Sequence, residues 1–308
     1  MALSDVPTNE PLQIVRNPYR DSASAMRKGV VVKGAWRSAY ARFIEDNEIE
    51  ALYLNSALGF QGDDLGFLRE IRSLKELNII LGSAMNLGAI EELVDLEDLS
   101  ITCSTTSRID ASSLSGLKKV FLHWWPGAES FLHCESIRSL YLDKFDARHA
   151  GKLSRLTALH DLVIGNSAIA DVSFINGLDL RKLELLNCKK IADYSPIKRQ
   201  ACLKWLAIRG CRHVGAMDFL PEPSSLEVLL LSDAGEVPSL GPITSQAGLR
   251  AFAFDGGSFV KDLDLSPLLS LANLSMLMFK PRKGYSHKLI KPWQWRNFDH
   301  PDALLAAC

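Results

Sequence analysis

The stretch LRKLELLNCKKIADYSPI, residues 180–197, opens with a phrase that returns at residues 203–211 as LKWLAIRGC. Both phrases place an aliphatic residue at the first, fourth and sixth positions of LxxLxL. Eleven such phrases occur, 20 to 25 residues apart, and their first positions are Ile49, Leu74, Leu96, Leu117, Ile137, Leu159, Leu180, Leu203, Leu226, Leu249 and Leu274. A fixed period of this length predicts stacked supersecondary units that share one continuous core.

Each phrase predicts a β-strand with one buried face. Its fourth and sixth positions are apolar while its third and fifth positions vary, which is the period-two alternation of a strand. We therefore expect the fourth and sixth side chains in the core, and the third and fifth on the opposite face of the sheet.

These phrases resemble the leucine-rich repeat superfamily over roughly residues 45 to 285. LELLNC (183–188) and LAIRGC (206–211) are similar to the family's cysteine variant. The return segments IADVSFI (169–175) and IADYSPI (191–197) resemble the short, bacterial and phosphatase-regulator-like subclass. The resemblance implies an α/β solenoid, a right-handed superhelix with about eleven parallel strands on its concave face and short turns or 3-10 segments on its convex face.

The return segments carry an Asp followed two residues later by a Ser, at Asp171 with Ser173 and at Asp193 with Ser195. Their side chains can bond to nearby backbone amides and start a tight turn. The ninth position of each repeat, an Asn in the family pattern, holds other residues throughout, so an asparagine ladder at that position is absent. Bulky Trp125 and Phe145 stand there in the fourth and fifth repeats and predict irregular turns.

Composition predicts a soluble, folded chain of one domain. The 308 residues are 47% hydrophobic and 23% charged, with a net charge of −1. We expect an N-terminal cap over residues 1–48, the repeats over 49–280 and a C-terminal cap or tail over 281–308. In the first cap, VVVKGAW (30–36) predicts a strand, and SAYARFIEDN (38–47) predicts a short amphipathic helix with Ala39, Phe43 and Ile44 facing the first repeat.

The N-terminus lacks a basic start followed by an apolar run, and no stretch reaches the length of a membrane span, so we expect a cytoplasmic protein. Six cysteines without a CxxC pair favour reduced thiols. Cys188 and Cys211 stand at equivalent positions of neighbouring repeats, and we interpret them as small buried thiols. No cofactor and no metal site is expected.

The last four repeats place only apolar residues at their third and fifth positions. Side by side, these residues would form a contiguous apolar strip, listed from strand to strand as Trp205, Ala207, Val228, Leu230, Ala251, Ala253, Met276 and Met278. One interpretation is a docking surface for a protein partner or a second copy of the chain. The other is that the C-terminal tail, with Trp293, Trp295 and Phe298, packs across it.

A second candidate patch lies in the middle repeats. Phe121 and Tyr141 occupy fifth positions, and His123 and Asp143 occupy seventh positions, where the Asp could favour a protonated His. We interpret them as a binding hot spot framed by Tyr53, Lys119, Trp124, Lys144, Trp205 and Arg209, since Tyr, Trp and Arg contribute strongly to interfaces. A catalytic dyad is the rival interpretation, but no nucleophile accompanies it at a defined spacing.

No phosphate-binding glycine loop, HExxH or GxSxG motif is present, so we expect no enzyme. The predicted function is a non-catalytic protein–protein interaction module that binds its partner on the concave face, in the manner of an inhibitor or immunity-type protein. One alternative is a homodimer or larger self-assembly through the apolar strip. Another is nucleic-acid attachment through the basic tail from Lys280 to Arg296, against which the net charge of −1 argues.

Overall fold

The computed structural model describes residues 12–16, 27–212, 214–289 and 305–307. The chain divides into two compact units, Met1–Leu142 and Asp143–Cys308. Each repeat supplies one strand to the main sheet of its unit, so the eleven repeat strands predicted from the sequence are confirmed.

The first unit contains one main sheet with the strand order β1-β2-β4-β6-β7-β8-β9. Strands β2, β4, β6, β7 and β8 pair parallel with one another in that order, whereas β1 pairs antiparallel with β2. Short β3 and β5 form a separate parallel pair. The strands are β1 Leu12–Arg16, β2 Lys28–Val32, β3 Gly34–Ala35, β4 Ala51–Asn55, β5 Phe60–Gln61, β6 Glu76–Ser83, β7 Asp98–Ser104, β8 Lys119–His123 and β9 Ser139–Asp143, whose last residue begins the second unit.

The second unit continues the same plan in the order β10-β11-β12-β13-β15-β17, with all neighbours parallel. Strands β14 and β16 form a parallel pair, and β18 and β19 an antiparallel pair. The strands are β10 Asp161–Gly165, β11 Lys182–Leu186, β12 Trp205–Arg209, β13 Val228–Ser232, β14 Glu236–Val237, β15 Ala251–Asp255, β16 Phe259–Val260, β17 Met276–Phe279, β18 His287–Leu289 and β19 Leu305–Ala307.

Most connections between the repeat strands contain a short 3-10 segment. Within the described ranges the single α-helix is α1, Ala39–Asp46, which belongs to the N-terminal region. The 3-10 segments are Ser56–Leu58, Gly66–Glu70, Leu87–Glu92, Ala111–Ser113, Pro126–His133, Ala147–Arg155, Ser173–Ile175, Ser195–Arg199, Gly241–Ser245 and Ser266–Ser270. The predicted short turns, in place of long return helices, are therefore confirmed.

The repeat phrase fills the core of each unit. Every first, fourth and sixth position of the eleven phrases is at most 4% exposed. Burying one such aliphatic side chain contributes roughly 1.5–3 kcal/mol, so each repeat adds its own increment to the stability of the unit. The third and fifth positions lie on the other side of the sheet, which we call the open face.

The predicted Asp turns form as expected. The Oδ1 atom of Asp171 accepts a hydrogen bond from the Ser173 amide at 2.8 Å, and Asp193 accepts one from the Ser195 amide at the same distance. The hydrogen bonds to Ser173 hold the pKa of Asp171 below its usual range. These bonds satisfy amides at the start of each 3-10 segment, where no backbone acceptor is available.

The ninth repeat position uses other groups where the family pattern has Asn. In the second unit, the Ser167 hydroxyl donates to the Phe145 carbonyl at 2.7 Å, and the Cys188 thiol donates to the Ile164 carbonyl at 3.5 Å. In the first unit, the indole nitrogen of Trp125 donates to the Ser107 carbonyl at 2.7 Å. Trp125 therefore reaches back to the preceding turn, and the 3-10 segment that follows it is eight residues long.

The ends of the repeat array differ in detail from the sequence prediction. Helix α1 exists, but its buried residues are Tyr40 and Ile44, whereas Ala39 is exposed, so the predicted contact of Ala39 is wrong. At the other end, buried Tyr285 packs edge-on against Phe279, and its hydroxyl accepts a hydrogen bond from the Val260 amide. The aromatic residues predicted to pack across the strip, Trp293, Trp295 and Phe298, lie outside the described residues.

Replacing Asp171 by Ala should lower the free energy of unfolding by about 1 kcal/mol at pH 7, because the Ser173 amide loses its acceptor. Asp171→Asn keeps a side-chain oxygen and should lose less. Because the folded-state pKa of Asp171 is depressed, its contribution is present above the ordinary carboxyl pKa and is lost as the pH falls through the folded value. Urea unfolding of the wild type and the two variants at several pH values measures these free energies. Equal losses of unfolding free energy in Asp171→Ala and Asp171→Asn would contradict the prediction.

Candidate functional site: the open face of the sheet

The apolar strip of the second unit forms as two rows that cross four strands in register. One row joins Trp205, Val228, Ala251 and Met276, and the other joins Ala207, Leu230, Ala253 and Met278. The register fixes their side because residues two apart along a strand share a face. All eight predicted strip residues therefore lie on the open face.

The strip packs laterally on itself. Ala207, Leu230 and Ala253 form a cluster separate from the repeat core, with exposures of 0%, 6% and 5%. Half-buried Trp205, Val228 and Met278 pack against this cluster. The open face of this unit thus carries a second, smaller apolar layer.

A pocket of about 230 Å³ opens within the strip. Its position follows from side-chain size, because small Ala251 and Ala253 on β15 stand between larger residues on β13 and β17. We call it the alanine pocket, and its lining residues are Arg209, Leu230, Ser232, Ala251, Phe252, Ala253, Asp255, Met276 and Met278.

The rim of the alanine pocket is polar. Arg209, Ser232 and Asp255 stand in register at the ends of β12, β13 and β15. Arg209 is exposed. The Oδ1 atom of Asp255 is buried and has no hydrogen-bond partner among the described residues. The sequence prediction includes Arg209 but misses Ser232 and Asp255, although both occupy the seventh position that drew attention to His123 and Asp143 in the middle repeats.

One flank of the strip is charged. The Lys182 ammonium lies 3.0 Å from a Glu184 carboxylate oxygen on the same strand, and 5.4 Å from the centre of the Trp205 ring. This cation–π contact covers one side of Trp205 and holds the indole against the strip. The buried indole nitrogen of Trp205 has no hydrogen-bond partner in the described part of the chain.

The middle patch of the first unit contains a stacked aromatic pair. The rings of Phe121 and Tyr141 are 4.2 Å apart between centres and inclined by 12°. Both rings and His123 are half-buried on the open face, whereas Trp124 is buried. Lys119 is half-buried at the start of β8.

Asp143 and Lys144 belong to the second unit. The Asp143 carboxylate accepts a hydrogen bond from the Asn166 amide group at 2.6 Å, and Lys144 is exposed with a backbone φ of 55°. Asn166 and Asn187 also have positive φ, and the Asn187 amide donates to Asn166 at 3.2 Å. An asparagine ladder therefore exists one position before the expected one, at the exposed ends of the strands. The predicted pairing of Asp143 with His123 stays a prediction.

Tyr53 differs from its predicted display on the surface. Its side chain is 0% exposed and clusters with Val31 and Ala51, with Val15 of the N-terminal strand β1 packed against them. Its hydroxyl donates to the Oε1 atom of Glu76 at 3.0 Å. The expectation that Tyr53 is available to a partner is corrected by this burial, because the N-terminal strands cover that part of the open face.

Arg27 pairs with a cluster of three acidic residues beside Tyr53, of which Glu76 is buried and Glu97 and Asp98 are half-buried. Its guanidinium donates to Asp98 at 2.7 Å and to Glu97 at 2.9 Å, and lies 3.8 Å from Glu76. Burial raises the pKa of Glu76, while the Tyr53 hydrogen bond opposes that rise. Burial also raises the pKa of Asp98, against the effect of Arg27. Asp98 stands in register with Lys119 on β8, but its short ion pair is with Arg27.

The described cysteines are free thiols. The Cys188 amide donates to the Cys211 sulfur at 3.3 Å, and both residues are fully buried. Hydrogen bonding with Cys188, together with burial, raises the pKa of the Cys211 thiol. Among the described residues, no group of three or more His, Cys, Asp and Glu side chains could hold a metal ion. His213, next to this pair, lies outside the described residues.

The basic segment after the last repeat strand is solvated where it is described. Lys280, Arg282, Lys283 and Lys288 are exposed, and the Arg282 guanidinium lies 4.0 Å from the centre of the Phe259 ring. Lys291 and Arg296 lie outside the described residues. None of the helices in the described ranges is long and apolar enough to cross a lipid bilayer.

Comparison with known proteins identifies the fold. No protein-family model and no curated protein matches the chain. An internalin of Listeria monocytogenes, inlF, is similar with a TM-score of 0.55 and 16% identity, over 85% of this chain and 88% of the internalin. Internalin C2 of the same organism is similar with a TM-score of 0.40 and 17% identity, over 62% of this chain and 74% of internalin C2. TLR13 in a complex with ssRNA13 has a TM-score of 0.47 and 16% identity, over 76% of this chain and 40% of TLR13.

The likeness to the first internalin, together with the eleven phrases, shows that this chain has the leucine-rich repeat fold. At this level of identity the likeness is one of fold. The assignment to the short-repeat subclass and the right-handed sense of the superhelix stay predictions.

Replacing Glu76 by Gln should stabilise the protein increasingly from pH 4 to pH 7. The folded-state pKa of Glu76 is raised, so the contribution of Glu76 to the free energy of unfolding falls as the pH rises and the buried carboxyl ionises. The amide introduced by Glu76→Gln cannot ionise and can still accept the Tyr53 hydrogen bond. Tyr53→Phe should steepen the pH dependence of the wild type, since that bond lowers the pKa of Glu76. Urea unfolding between pH 4 and 7 measures the free energy of unfolding of both variants. A difference between the wild type and Glu76→Gln that does not change with pH would contradict the prediction.

Proposed function

We propose that this chain is a non-catalytic binding module that holds a protein partner on the open face of its second unit. The observation that carries the proposal is the apolar strip, which crosses four strands in register without a charged residue. Trp205, Val228, Met276 and Met278 remain half-exposed around buried Ala207, Leu230, Ala251 and Ala253. Contiguous apolar surface of this kind marks an interaction site.

The dimensions of the strip favour a protein over a small molecule. Four neighbouring strands span about 14 Å, since adjacent strands lie about 4.8 Å apart. The alanine pocket within the strip, about 230 Å³, is smaller than the roughly 300–1,000 Å³ of ordinary small-molecule sites. A broad apolar surface with one small pocket matches an interface in which a few anchor residues carry most of the binding energy.

The aromatic patch of Phe121, His123 and Tyr141 is proposed as a further contact surface in the first unit. Tyr53 is not included, because it is fully buried in a cluster against which Val15 packs. Trp124 is not included, because it is buried and occupies the eighth position of its repeat, not one of the odd positions that face the open side. More specifically, we propose that the chain acts as an inhibitor or immunity-type protein that covers its partner.

The proposed organisation has caps at 1–48 and 281–308 on either side of repeats at 49–280. The proposed location is the cytoplasm, where cysteines stay reduced.

A second candidate function rests on the same strip. Two copies of this chain could bury their strips against each other and form a homodimer, because apolar surface is self-complementary in a two-fold interface. Nucleic-acid attachment has weaker support, since the described part of the basic segment contributes four exposed cations on a chain of net charge −1.

Filling the alanine pocket should abolish partner binding. Ala253→Trp places a large side chain in the apolar layer of the open face and leaves the first, fourth and sixth positions of the repeat core unchanged. Val163→Trp is the matched control, because Val163 occupies the same repeat position on β10, away from the strip. Capture from native extract, measured quantitatively, should enrich a partner protein with the wild type and with the control. The captured amount of that protein should fall at least about tenfold with Ala253→Trp, which corresponds to about 1.4 kcal/mol of binding free energy. Equal capture by all three proteins would remove the strip as the interface.

The mass of the purified chain should remain that of a 34.1 kDa monomer across a wide concentration range if the strip serves a different protein. Light scattering coupled to size separation measures this mass. A mass that rises with concentration, and returns to the monomer value in Ala253→Trp, would favour the homodimer over the proposed function.

A further inference from the structure

We propose that the alanine pocket receives one aromatic side chain with a hydrogen-bond donor, a tryptophan or tyrosine of the partner protein. The inference rests on the proposed function, since it names the chemistry of the residue that anchors the partner. The shape of the floor, the thioethers at the wall and the polar rim each support it.

The floor of the pocket suits a flat side chain. Ala251 and Ala253 present only their Cβ atoms above β15, between Leu230 on β13 and Met278 on β17. This makes a slot one strand wide with an even base and higher walls. A planar ring that lies on the two alanines can contact both walls, because a ring is thin in one dimension and broad in the other two.

The walls of the slot also favour a ring over a branched aliphatic side chain. Met276 and Met278 both line the pocket and are half-buried. A methionine thioether makes favourable contacts with aromatic rings, and its unbranched chain can adjust to the edge of the ring. Arg209, exposed on the rim, can add a cation–π contact to the same ring.

The polar rim requires a donor from the occupant. The Oδ1 atom of Asp255 is buried and accepts no hydrogen bond from the described residues. A purely apolar occupant would leave this buried oxygen without a partner, which is unfavourable. An indole N–H or a phenol O–H supplies the donor from a ring that fills the apolar floor.

A charged occupant gains little at the rim, because Arg209 and Asp255 carry opposite charges two strands apart. A lysine or arginine would be attracted by Asp255 and repelled by Arg209, and an aspartate or glutamate would meet the reverse. Tryptophan and tyrosine are neutral, combine a large apolar ring with one donor, and are among the residues most often found as interface anchors.

The test measures binding of three single-residue probes to the full chain: N-acetyl-tryptophanamide, N-acetyl-tyrosinamide and N-acetyl-phenylalaninamide. Methyl-labelled methionine reports on the pocket, because the chain has six methionines and two of them line it. The tryptophan and tyrosine probes should shift the Met276 and Met278 signals with dissociation constants on the order of 1 mM, a range typical of a small fragment. The phenylalanine probe, without a donor, should bind at least about fivefold more weakly.

Two variants locate the effect. Ala253→Leu fills the slot and should abolish binding of all three probes, whereas Val163→Leu, at the same repeat position on β10, should change nothing. Asp255→Ala removes the acceptor and should reduce the difference between the tyrosine and phenylalanine probes to less than about twofold. This cycle isolates the coupling between the donor of the probe and Asp255.

Several results would overturn the inference. Equal binding of the tyrosine and phenylalanine probes by the wild type would show that the occupant needs no hydrogen-bond donor. Binding that survives Ala253→Leu would show that the probes bind outside the alanine pocket. Binding that appears only after Trp293 and Trp295 are both replaced by Ala would assign the pocket to this chain's own residues instead of a partner. If no probe binds while Ala253→Trp still blocks partner capture, the aromatic anchor is wrong and the proposed function stands.

Discussion

Burial of three apolar side chains in every repeat, at the first, fourth and sixth positions, holds the fold together. Parallel pairing keeps neighbouring repeats about 4.8 Å apart, so each buried residue meets its counterparts in the repeats beside it. A slip of one residue in any strand would turn its fourth and sixth positions out of the core and its third and fifth positions into it. The repeat core therefore fixes which side chains the open face displays.

The two units use the open face differently. In the first unit, the N-terminal strands and Arg27 cover Tyr53 and the acidic residues of β6 and β7, and a stacked Phe121–Tyr141 pair follows. In the second unit, the corresponding positions on β12 to β17 are apolar and pack into their own layer. The first surface combines apolar packing with ion pairs and hydrogen bonds, whereas the second depends mainly on the hydrophobic effect, which lacks directional preference.

The alanine pocket shows how a regular scaffold makes a specific site. Its strands pair in the same parallel manner as those of the neighbouring repeats, and the sizes of the side chains in register differ, with two alanines between longer residues. The seventh positions then place Arg209, Ser232 and Asp255 along its rim. Function in such a fold therefore resides in the variable positions of the repeat.

Local sequence patterns were enough to predict the eleven strands, the face on which each strip residue lies, the short return segments and the Asp turns at Asp171 and Asp193. These features follow from the period of the apolar residues and from hydrogen bonds between residues two apart, both of which a single chain records. By contrast, which surface residues are covered and which polar atoms lack a partner became clear only in the folded protein. Arg27 reaches Asp98 across 71 positions of sequence, and Val15 packs onto the cluster that buries Tyr53. Such contacts are set by how far long side chains reach across packed elements, and no local periodicity encodes that reach.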